Sequence, residues 1–217
     1  MRKLNIIFIL FMAFLAACGT ANSDLETPKY TVLSKAVYDG QYNIEIRDYA
    51  PRLAAEVTVK GEREAALSEG FRILADYIFG NNTAKTDIAM TAPVTQSSKT
   101  KTAQKIEMTA PVTQVESAQG WVVQFTMPAQ YTAETLPKPN NAQIEIVTTQ
   151  PVRMAVLRFS GFSSETRFQN RAKILADYLA QQKIPTLGAP EFAYYNDPFT
   201  FPWRKRNEVL IPIVSSP

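Results

Sequence analysis

The chain has 217 residues, 46% of them hydrophobic, which is enough for one large domain or two small ones with a packed core. The formal net charge of +3 gives no strong basic bias, so nucleic acid is not an expected partner. The absence of histidine and the single cysteine, Cys18, exclude histidine-based catalysis, histidine-ligated metal or haem, an internal disulfide and a cysteine-cluster zinc site.

The N-terminal segment has the pattern of an export signal. Met1–Lys3 is basic, and residues 4–15 are apolar except for Asn5. This stretch is too short for a membrane span, which needs about 20 residues, but it fits the hydrophobic region of a secretory signal peptide. We therefore expect residues 1–17 to be a signal peptide.

Residues 15–18, Leu-Ala-Ala-Cys, resemble a bacterial lipobox, in which Cys18 becomes the lipid-modified first residue. The alternative is an ordinary signal peptide with an incidental cysteine. Gly19 follows the cysteine, and by resemblance to Gram-negative sorting this favours the periplasmic face of the outer membrane. Residues 18–29 are then the lipidated cysteine and a polar tether, and the acyl chains alone bind the membrane.

A single folded domain is expected over residues 30–217. The alternating pattern of Tyr42–Tyr49 and the run Leu53–Val59 predict two strands. Residues 62–79 predict a helix with an apolar stripe. Trp121–Met127 predicts another strand, and an aromatic loop leads to a final strand near the C-terminus.

A nine-residue motif occurs twice, as Ile-Ala-Met-Thr-Ala-Pro-Val-Thr-Gln at Ile88–Gln96 and with Glu in place of the first Ala at Ile106–Gln114. Two β-rich runs around a polar tip predict a long hairpin. The proline in each copy cannot donate to a ladder. Each run is therefore expected to lie on a sheet edge or to break after its first threonine, Thr91 or Thr109.

The second half of the chain repeats the first. The run Ile-Leu-Ala-Asp-Tyr occurs at residues 73–77 and again at 174–178, and an Ile-Glu-Ile run precedes each. Such matches in register indicate an internal duplication of a β-β-α-β unit, over about residues 42–96 and 142–214. The predicted fold class is α+β: a distorted β-barrel of two halves related by a pseudo-twofold axis, with two flanking helices.

Five motifs occur in order along the domain: Tyr42-Asn-Ile-Glu-Ile-Arg-Asp-Tyr, Ile-x-Met-Thr-Ala-Pro-Val, Phe125-Thr-Met-Pro, Phe159-Ser-Gly-Phe, and Asn196-Asp-Pro followed by Pro202-Trp-Arg-Lys-Arg-Asn-Glu-Val. Together they resemble the SOUL, or haem-binding protein, family over about residues 30–213. The resemblance implies a distorted β-barrel of two similar halves with two outer helices. It also implies an apolar groove near the first helix that binds haem or another tetrapyrrole.

The resemblance further implies that basic side chains on the first helix meet the propionates of the ligand. In this sequence, Ser68 and Asp76 stand at two such positions. Some members of the family use a histidine ligand, and this chain has none. The expected haem is therefore non-covalent and without a histidine ligand.

A comparison of the two halves also indicates where a ligand lies. Core positions agree between the repeats, whereas Phe71 and Phe79 of the first helix correspond to Ala172 and Ala180 of the second. A flat apolar ligand can lie on these two rings, and Arg72 can meet its carboxylate. The alternative is that Phe71 borders the core and Phe79 packs under a loop.

Two further groups of residues complete the candidate site. Met90 and Met108 are the softest candidates for an iron ligand, with tyrosine as an anionic alternative, although such methionines are more often core residues. The basic run Arg204–Arg206 can bind propionates, phosphates or lipid head groups; alternatively it is the solvated start of a strand, with Arg206 paired to Glu208. The candidate ligand-binding residues are Phe71, Arg72, Ala75, Phe79, Met90, Met108, Arg204, Lys205 and Arg206.

These observations predict an exported, lipid-anchored protein that is not an enzyme and that binds haem, another tetrapyrrole or a similar flat apolar anion. One alternative is a structural or interaction lipoprotein of the envelope with no small ligand. The other is a hydrolase of the related effector-binding fold, for which Glu107, the odd carboxylate of the twin motif, is the candidate residue.

Overall fold

The computed structural model of the protein describes residues 26–98, 120–196 and 199–214. The predicted signal peptide, Cys18 and most of the tether lie outside the described residues, as does the second copy of the twin motif with Glu107 and Met108. In the described ranges, no helix is long and apolar enough to cross a membrane.

The described residues form nine strands and two α-helices. In chain order these are β1 (Tyr30–Tyr38), β2 (Tyr42–Tyr49), β3 (Leu53–Val59), α1 (Arg63–Ile78), β4 (Val94–Ser98), β5 (Trp121–Thr126), β6 (Glu145–Thr148), β7 (Val152–Phe159), α2 (Glu165–Gln181), β8 (Glu191–Tyr194) and β9 (Asn207–Pro212). A short 3-10 turn, Pro202–Arg204, precedes β9. The predicted α+β class with two helices is confirmed.

The nine strands form one antiparallel sheet in the order β1-β2-β7-β9-β8-β4-β5-β3-β6. β1 and β6 each have a single neighbour, so the described strands leave the sheet open and do not close the predicted barrel. The alternating pattern specifies which residues are strands. It does not specify whether the two edge strands pair with each other, because alternation identifies a strand and its buried face but not its neighbouring strand.

Apart from β1, the strand order is symmetric about the centre of the sheet. From one edge it reads β2-β7-β9-β8, and from the other edge it reads β6-β3-β5-β4, so that β2–β5 correspond in order to β6–β9. The pairing registers match as well. Ile46 of β2 lies opposite Ala155 of β7, and Ile146 of β6 lies opposite Ala55 of β3. Each of these two pairs therefore joins residues at equivalent places in the two parts of the sheet.

The first copy of the twin motif is interrupted by its proline, as one of the two alternatives predicted. Residues 88–93 lie outside the strands, and β4 begins at Val94. β4 lies inside the sheet, paired on one side with β5 and on the other with β8. The predicted edge position is therefore wrong for residues 94–96, and the predicted hairpin involves the second copy, which lies outside the described residues.

Both helices pack on the same face of the sheet, each over one half. Helix α1 covers β3 and β5, and α2 covers β7 and β9. Gly70 allows α1 to approach β5 closely, since a Cβ atom there would lie 2.5 Å from a Val123 methyl carbon. The opposite face, which no described helix covers, carries a third cluster that includes Tyr49, Met154 and Leu210. We call it the helix-free face.

Candidate functional site

A buried charge cluster lies on the helix-free face. The Glu208 side chain on β9 is 0% exposed and accepts hydrogen bonds from Arg47 Nη1 at 2.9 Å and from Arg206 Nη2 at 2.8 Å. The Tyr195 hydroxyl donates a third at 2.8 Å. Glu45 accepts a bond from Arg47 Nε at 2.8 Å. We call these residues the Glu208 cluster; they satisfy charges that would be costly to bury alone.

The cluster fixes the ionisation of its members. Burial lowers the pKa of Arg47, but the hydrogen bonds to Glu208 and its negative charge raise this pKa by more than burial lowers it. The net pKa is raised, so the guanidinium stays charged. Burial raises the pKa of Tyr49 to about 12, so its phenol stays neutral and accepts a hydrogen bond from Arg47 Nη1 at 3.0 Å. The ionised, hydrogen-bonded side chains of the cluster thus form a rigid surface at the base of the neighbouring cavity, which we call its floor.

A cavity of about 750 Å³ adjoins this floor between β1, β2, β7 and the 3-10 turn. We call it the basic cavity, because it is lined by five basic side chains and one acidic side chain. The basic ones are Lys35, Arg47, Arg158, Arg204 and Lys205, and the acidic one is Glu45. The exposed apolar side chains in its lining are those of Val37 and Trp203.

Not all of these cations are already neutralised. Lys35 Nζ lies 3.3 Å from a Glu45 oxygen, and Arg47 is held by Glu208. Arg158 and Arg204 form no ion pair with another described residue. Both side chains are exposed, so both are able to meet an anion that enters the basic cavity.

An aromatic rim lies beside the cavity, on the loop between β8 and β9. The rings of Phe201 and Trp203 stack at 10° with their centroids 4.8 Å apart. Trp203 is 70% exposed although it lines the cavity. A flat ring system is a suitable partner for such an exposed indole, because stacking buries the apolar faces of both.

The candidate residues on α1 lie on the helix side of the sheet, away from the basic cavity. Phe71 packs edge-on against Phe125 with centroids 5.3 Å apart, so it borders the core. Phe79 is 65% exposed and does not pack under a described loop. Arg72 pairs with Glu69 one turn earlier, at 2.6 Å, and Ala75 is half-buried.

The remaining candidates are dispersed. Arg204 and Lys205 line the basic cavity, whereas Arg206 turns inward to Glu208, as the alternative interpretation expected, although it is largely buried rather than solvated. Met90 packs against the core cluster under α1. Met108 lies outside the described residues. The structure thus separates the predicted set into a helix flank and part of a sheet-face cavity.

Sequence reasoning missed Lys35, Arg47 and Arg158, which line the cavity. They come from three strands that lie side by side only in the folded sheet, so no spacing in the chain joins them. One signal was present: Arg47 follows Glu45 on the same side of an alternating strand, and a buried arginine needs a partner.

The described residues contain no group of three or more cysteine, aspartate or glutamate side chains placed to hold a metal ion. The lining of the basic cavity offers no methionine or tyrosine either. A haem in this cavity would be held through its ring and its carboxylates, without a strong side-chain ligand to its iron.

Comparison with known proteins gives a family and a fold. A sequence model described as SOUL heme-binding protein matches residues 25–103 and 97–212. No curated protein matches the chain at the significance required of a relative.

Three solved structures are similar. The C-terminal domain of EcmrR is 9% identical, with a TM-score of 0.54, over 81% of this chain and 99% of that chain. EcmrR in its DNA complex is 8% identical, with a TM-score of 0.56, over 99% of this chain and 67% of that one. A hydrolase from Listeria innocua is 12% identical, with a TM-score of 0.50, over 79% of this chain and 91% of that one. At such low identity these similarities show a shared fold and not a shared ligand or reaction.

Proposed function

Because the chain belongs to the SOUL heme-binding protein family, a ligand-binding and non-enzymatic family, we propose that it binds haem, another tetrapyrrole or a similar flat apolar anion in the basic cavity. The observation that carries this proposal is the cavity itself. Its volume of about 750 Å³ lies within the usual range for cofactor sites. Its five basic and one acidic lining side chains favour an anion over a cation.

The ligand's carboxylates meet Arg158 and Arg204, the two lining cations that form no ion pair with a described residue. Charge-assisted hydrogen bonds of this kind are worth about 1.5–3 kcal/mol each. The apolar ring system lies against Val37 and the Trp203 indole, both of which are exposed. The Glu208 cluster supports Arg47 from beneath, so the floor of the cavity does not rearrange when the anion enters.

The α1 flank is less suited to an anion. Arg72 already pairs with Glu69, and Asp76 presents a carboxylate that accepts a hydrogen bond from Asn81 at 2.6 Å. A propionate beside Asp76 would be repelled. The groove on α1 that the family resemblance implies stays a prediction, and the basic cavity is the site we propose.

Haemin titrated into the full chain, with albumin as competitor, tests the proposal. We expect saturable binding at one site. Because the cavity lining offers the iron no strong ligand, metal-free protoporphyrin IX is expected to bind within about threefold of haemin, since only the loss of a metal–ligand bond would separate them more widely. Non-saturating absorbance with both porphyrins would overturn the proposal. Binding of haemin alone would show that an iron ligand exists and that the cavity is not the site.

We also propose that the protein is exported and anchored by acyl chains at Cys18, on the periplasmic face of the outer membrane in a Gram-negative host. The lipobox-like residues 15–18 support this proposal. Mass spectrometry of the N-terminal peptide measures it directly. A diacylated or triacylated Cys18 is expected, and a cleaved but unmodified cysteine would contradict it.

A duplication of one β-β-α-β unit is our proposal for the origin of the fold. It is supported by the equal strand order on both sides of the sheet, by the shared register of the β2–β7 and β3–β6 pairs, and by the repeated Ile-Leu-Ala-Asp-Tyr run in α1 and α2.

A second candidate function is interaction with an envelope protein, without a small ligand. It is favoured by one observation, the exposed rings of Phe199, Phe201 and Trp203 on a single loop. Photocrosslinking from position 201 in cells tests it. A discrete crosslinked partner, together with no porphyrin binding, would favour this function over the first.

A further inference from the structure

A second cavity system lies at the beginning of the described chain, apart from the basic cavity. A cavity of about 290 Å³ adjoins a narrow one of about 10 Å³, and the two share Pro28, Arg52 and Thr126. None of the side chains that line the basic cavity takes part. Arg52 therefore lies where a small open chamber meets the interior of the helix-free face.

Arg52 is a half-buried cation without a full set of partners. Its Nε and Nη1 atoms are buried and have no hydrogen-bond partner among the described residues. Its guanidinium carbon lies 5.6 Å from the centre of the Tyr49 ring, which covers one side of the group. Unsatisfied guanidinium N–H groups are costly to bury, so Arg52 is stabilised by an acceptor that reaches its guanidinium through the cavities that it lines.

The neighbouring acidic groups do not supply that acceptor. Glu191 lines the narrow cavity but forms no ion pair with Arg52, and burial raises the pKa of its carboxyl group, an effect that the charge of Arg52 partly offsets. Glu26 lines the larger cavity and accepts a hydrogen bond from the Ala129 backbone N–H at 2.9 Å. Lys29 adds a second positive charge at the rim.

The backbone holds Arg52 in place at this junction. Its N–H donates to Thr149 Oγ1 at 3.1 Å, and its carbonyl accepts from the Thr149 N–H at 2.9 Å. The remaining walls of the larger cavity are mainly apolar and include Leu53, Met127, Pro128 and Tyr131. The chamber thus combines Arg52, whose backbone is held by Thr149, with a largely apolar wall and with Lys29 and Glu26.

We propose that this chamber binds a small apolar monocarboxylate, with its carboxylate on Arg52 and its hydrocarbon part against Leu53, Met127 and Tyr131. The volume of about 290 Å³ equals that of about ten water molecules, so it suits a ligand of about ten non-hydrogen atoms. Such a ligand is too small to be a tetrapyrrole. The site is independent of the ligand proposed for the basic cavity.

Calorimetric titration of octanoate into the full chain tests this site, with octanol and octyltrimethylammonium as matched ligands of other charge. Octanoate is expected to bind saturably at one site, and the two controls are expected not to. In Arg52→Gln, which removes the charge but keeps a polar side chain, affinity for octanoate should fall by about tenfold or more. In Arg158→Gln, which changes a basic residue of the other cavity, it should be unchanged.

A second variant keeps the test decisive if Arg52→Gln does not fold. Ala129→Trp places a large ring at the exposed mouth of the chamber and is expected to abolish octanoate binding while leaving the midpoint of urea unfolding unchanged, because Ala129 is exposed. Absence of saturable octanoate binding to the unmodified chain would overturn the proposal, as would equal affinity for octanol or an unchanged affinity in Arg52→Gln. None of these outcomes depends on whether haemin binds.

Discussion

The two ends of the sheet have the same pairing register but different chemistry. At the β2–β7–β9 end, charged residues occupy the helix-free face and form the floor and wall of the basic cavity. At the β6–β3–β5 end, three of the corresponding positions are uncharged; the pairs are Arg47 and Val147, Arg158 and Thr58, and Glu208 and Val122. Glu45 corresponds to Glu145, so that charge is common to both ends. The two ends thus share the strand pairing that forms the scaffold, and the candidate site lies where their side chains differ in charge.

The additional strand β1 explains why the basic cavity lies at the β2–β7–β9 end. β1 extends the sheet beyond β2 and brings Lys35 opposite Glu45, whereas β6 at the other end has no outer neighbour. Because β1 adds one strand at this end, its residues form a wall that makes the basic cavity deep. The 3-10 turn that carries Trp203 and Arg204 lines the remaining side.

Removing Glu208 is expected to have the largest effect on this comparison. Glu208→Gln leaves Arg47 and Arg206 largely buried without their shared counter-charge, so the free energy of unfolding should fall by about 3 kcal/mol or more. Urea denaturation measures it. The control at the β6–β3–β5 end, Glu145→Gln, makes the same chemical change on an exposed side chain and should stay within about 0.5 kcal/mol of the unmodified protein. A loss below about 1 kcal/mol for Glu208→Gln would contradict the role of the cluster.

The contact between α1 and β5 gives the next largest effect. Gly70 of α1 corresponds to Arg171 of α2, and only α1 needs a glycine there, because a Cβ atom would lie 2.5 Å from Val123. Gly70→Ala is therefore expected to destabilise the protein by about 1–3 kcal/mol, despite the better helix propensity of alanine.

Thermal unfolding measures the Gly70 effect. Ser68→Ala, an exposed change on the same helix, serves as its control and should be nearly neutral. Stabilisation by Gly70→Ala would show that α1 lies further from the sheet.

Replacing a charged residue of the β2–β7–β9 end by its uncharged counterpart should weaken ligand binding without lowering the stability of the fold. Arg158→Thr introduces the residue found at the corresponding position, Thr58. Haemin affinity should fall by about tenfold, and the midpoint of urea unfolding should not move, because Arg158 is exposed and forms no ion pair with a described residue. Unchanged affinity would remove Arg158 from the site.

The smallest expected effect concerns pH. Burial raises the pKa of Glu45, but hydrogen bonds and charge interactions with Arg47 and Lys35 lower it more, so the net pKa lies below its ordinary 4.5. A carboxyl group with a lowered pKa in the folded state stabilises the protein above pH 4.5, and this stabilisation is lost as the pH falls through the lowered value.

Glu45→Gln should therefore flatten the fall in stability below pH 4.5, by about 0.5 kcal/mol or less because the group is partly exposed. Urea midpoints measured from pH 6 downward give the slope. An identical slope in the variant and the unmodified protein would contradict the assignment.

Much of the scaffold could be predicted from local pattern, because alternation and the 3.6-residue period act over short stretches. The strands Tyr42–Tyr49 and Leu53–Val59 were predicted with the observed bounds, and the helix predicted over 62–79 is observed over Arg63–Ile78. β1 was not predicted, since an edge strand whose side chains are mostly exposed carries little hydrophobic alternation.

The sheet order and most of the candidate site could not be predicted in the same way. They depend on which strands become neighbours, and that is decided by burial across the whole sheet. The basic run near Trp203 was predicted as a candidate site because three cations are adjacent in the chain. Its division, with Arg204 and Lys205 toward the cavity and Arg206 toward Glu208, required the pairing of β9 with β7.

Hydrogen–deuterium exchange of the full chain, with and without protoporphyrin IX, tests the central claim most directly, because it locates the ligand without a substitution. With the ligand bound, we expect slower exchange in peptides that cover residues 35–37, 156–160 and 203–205, and no change over residues 71–79. Protection confined to residues 71–79 would place the ligand on the α1 flank and would contradict the assignment of the basic cavity.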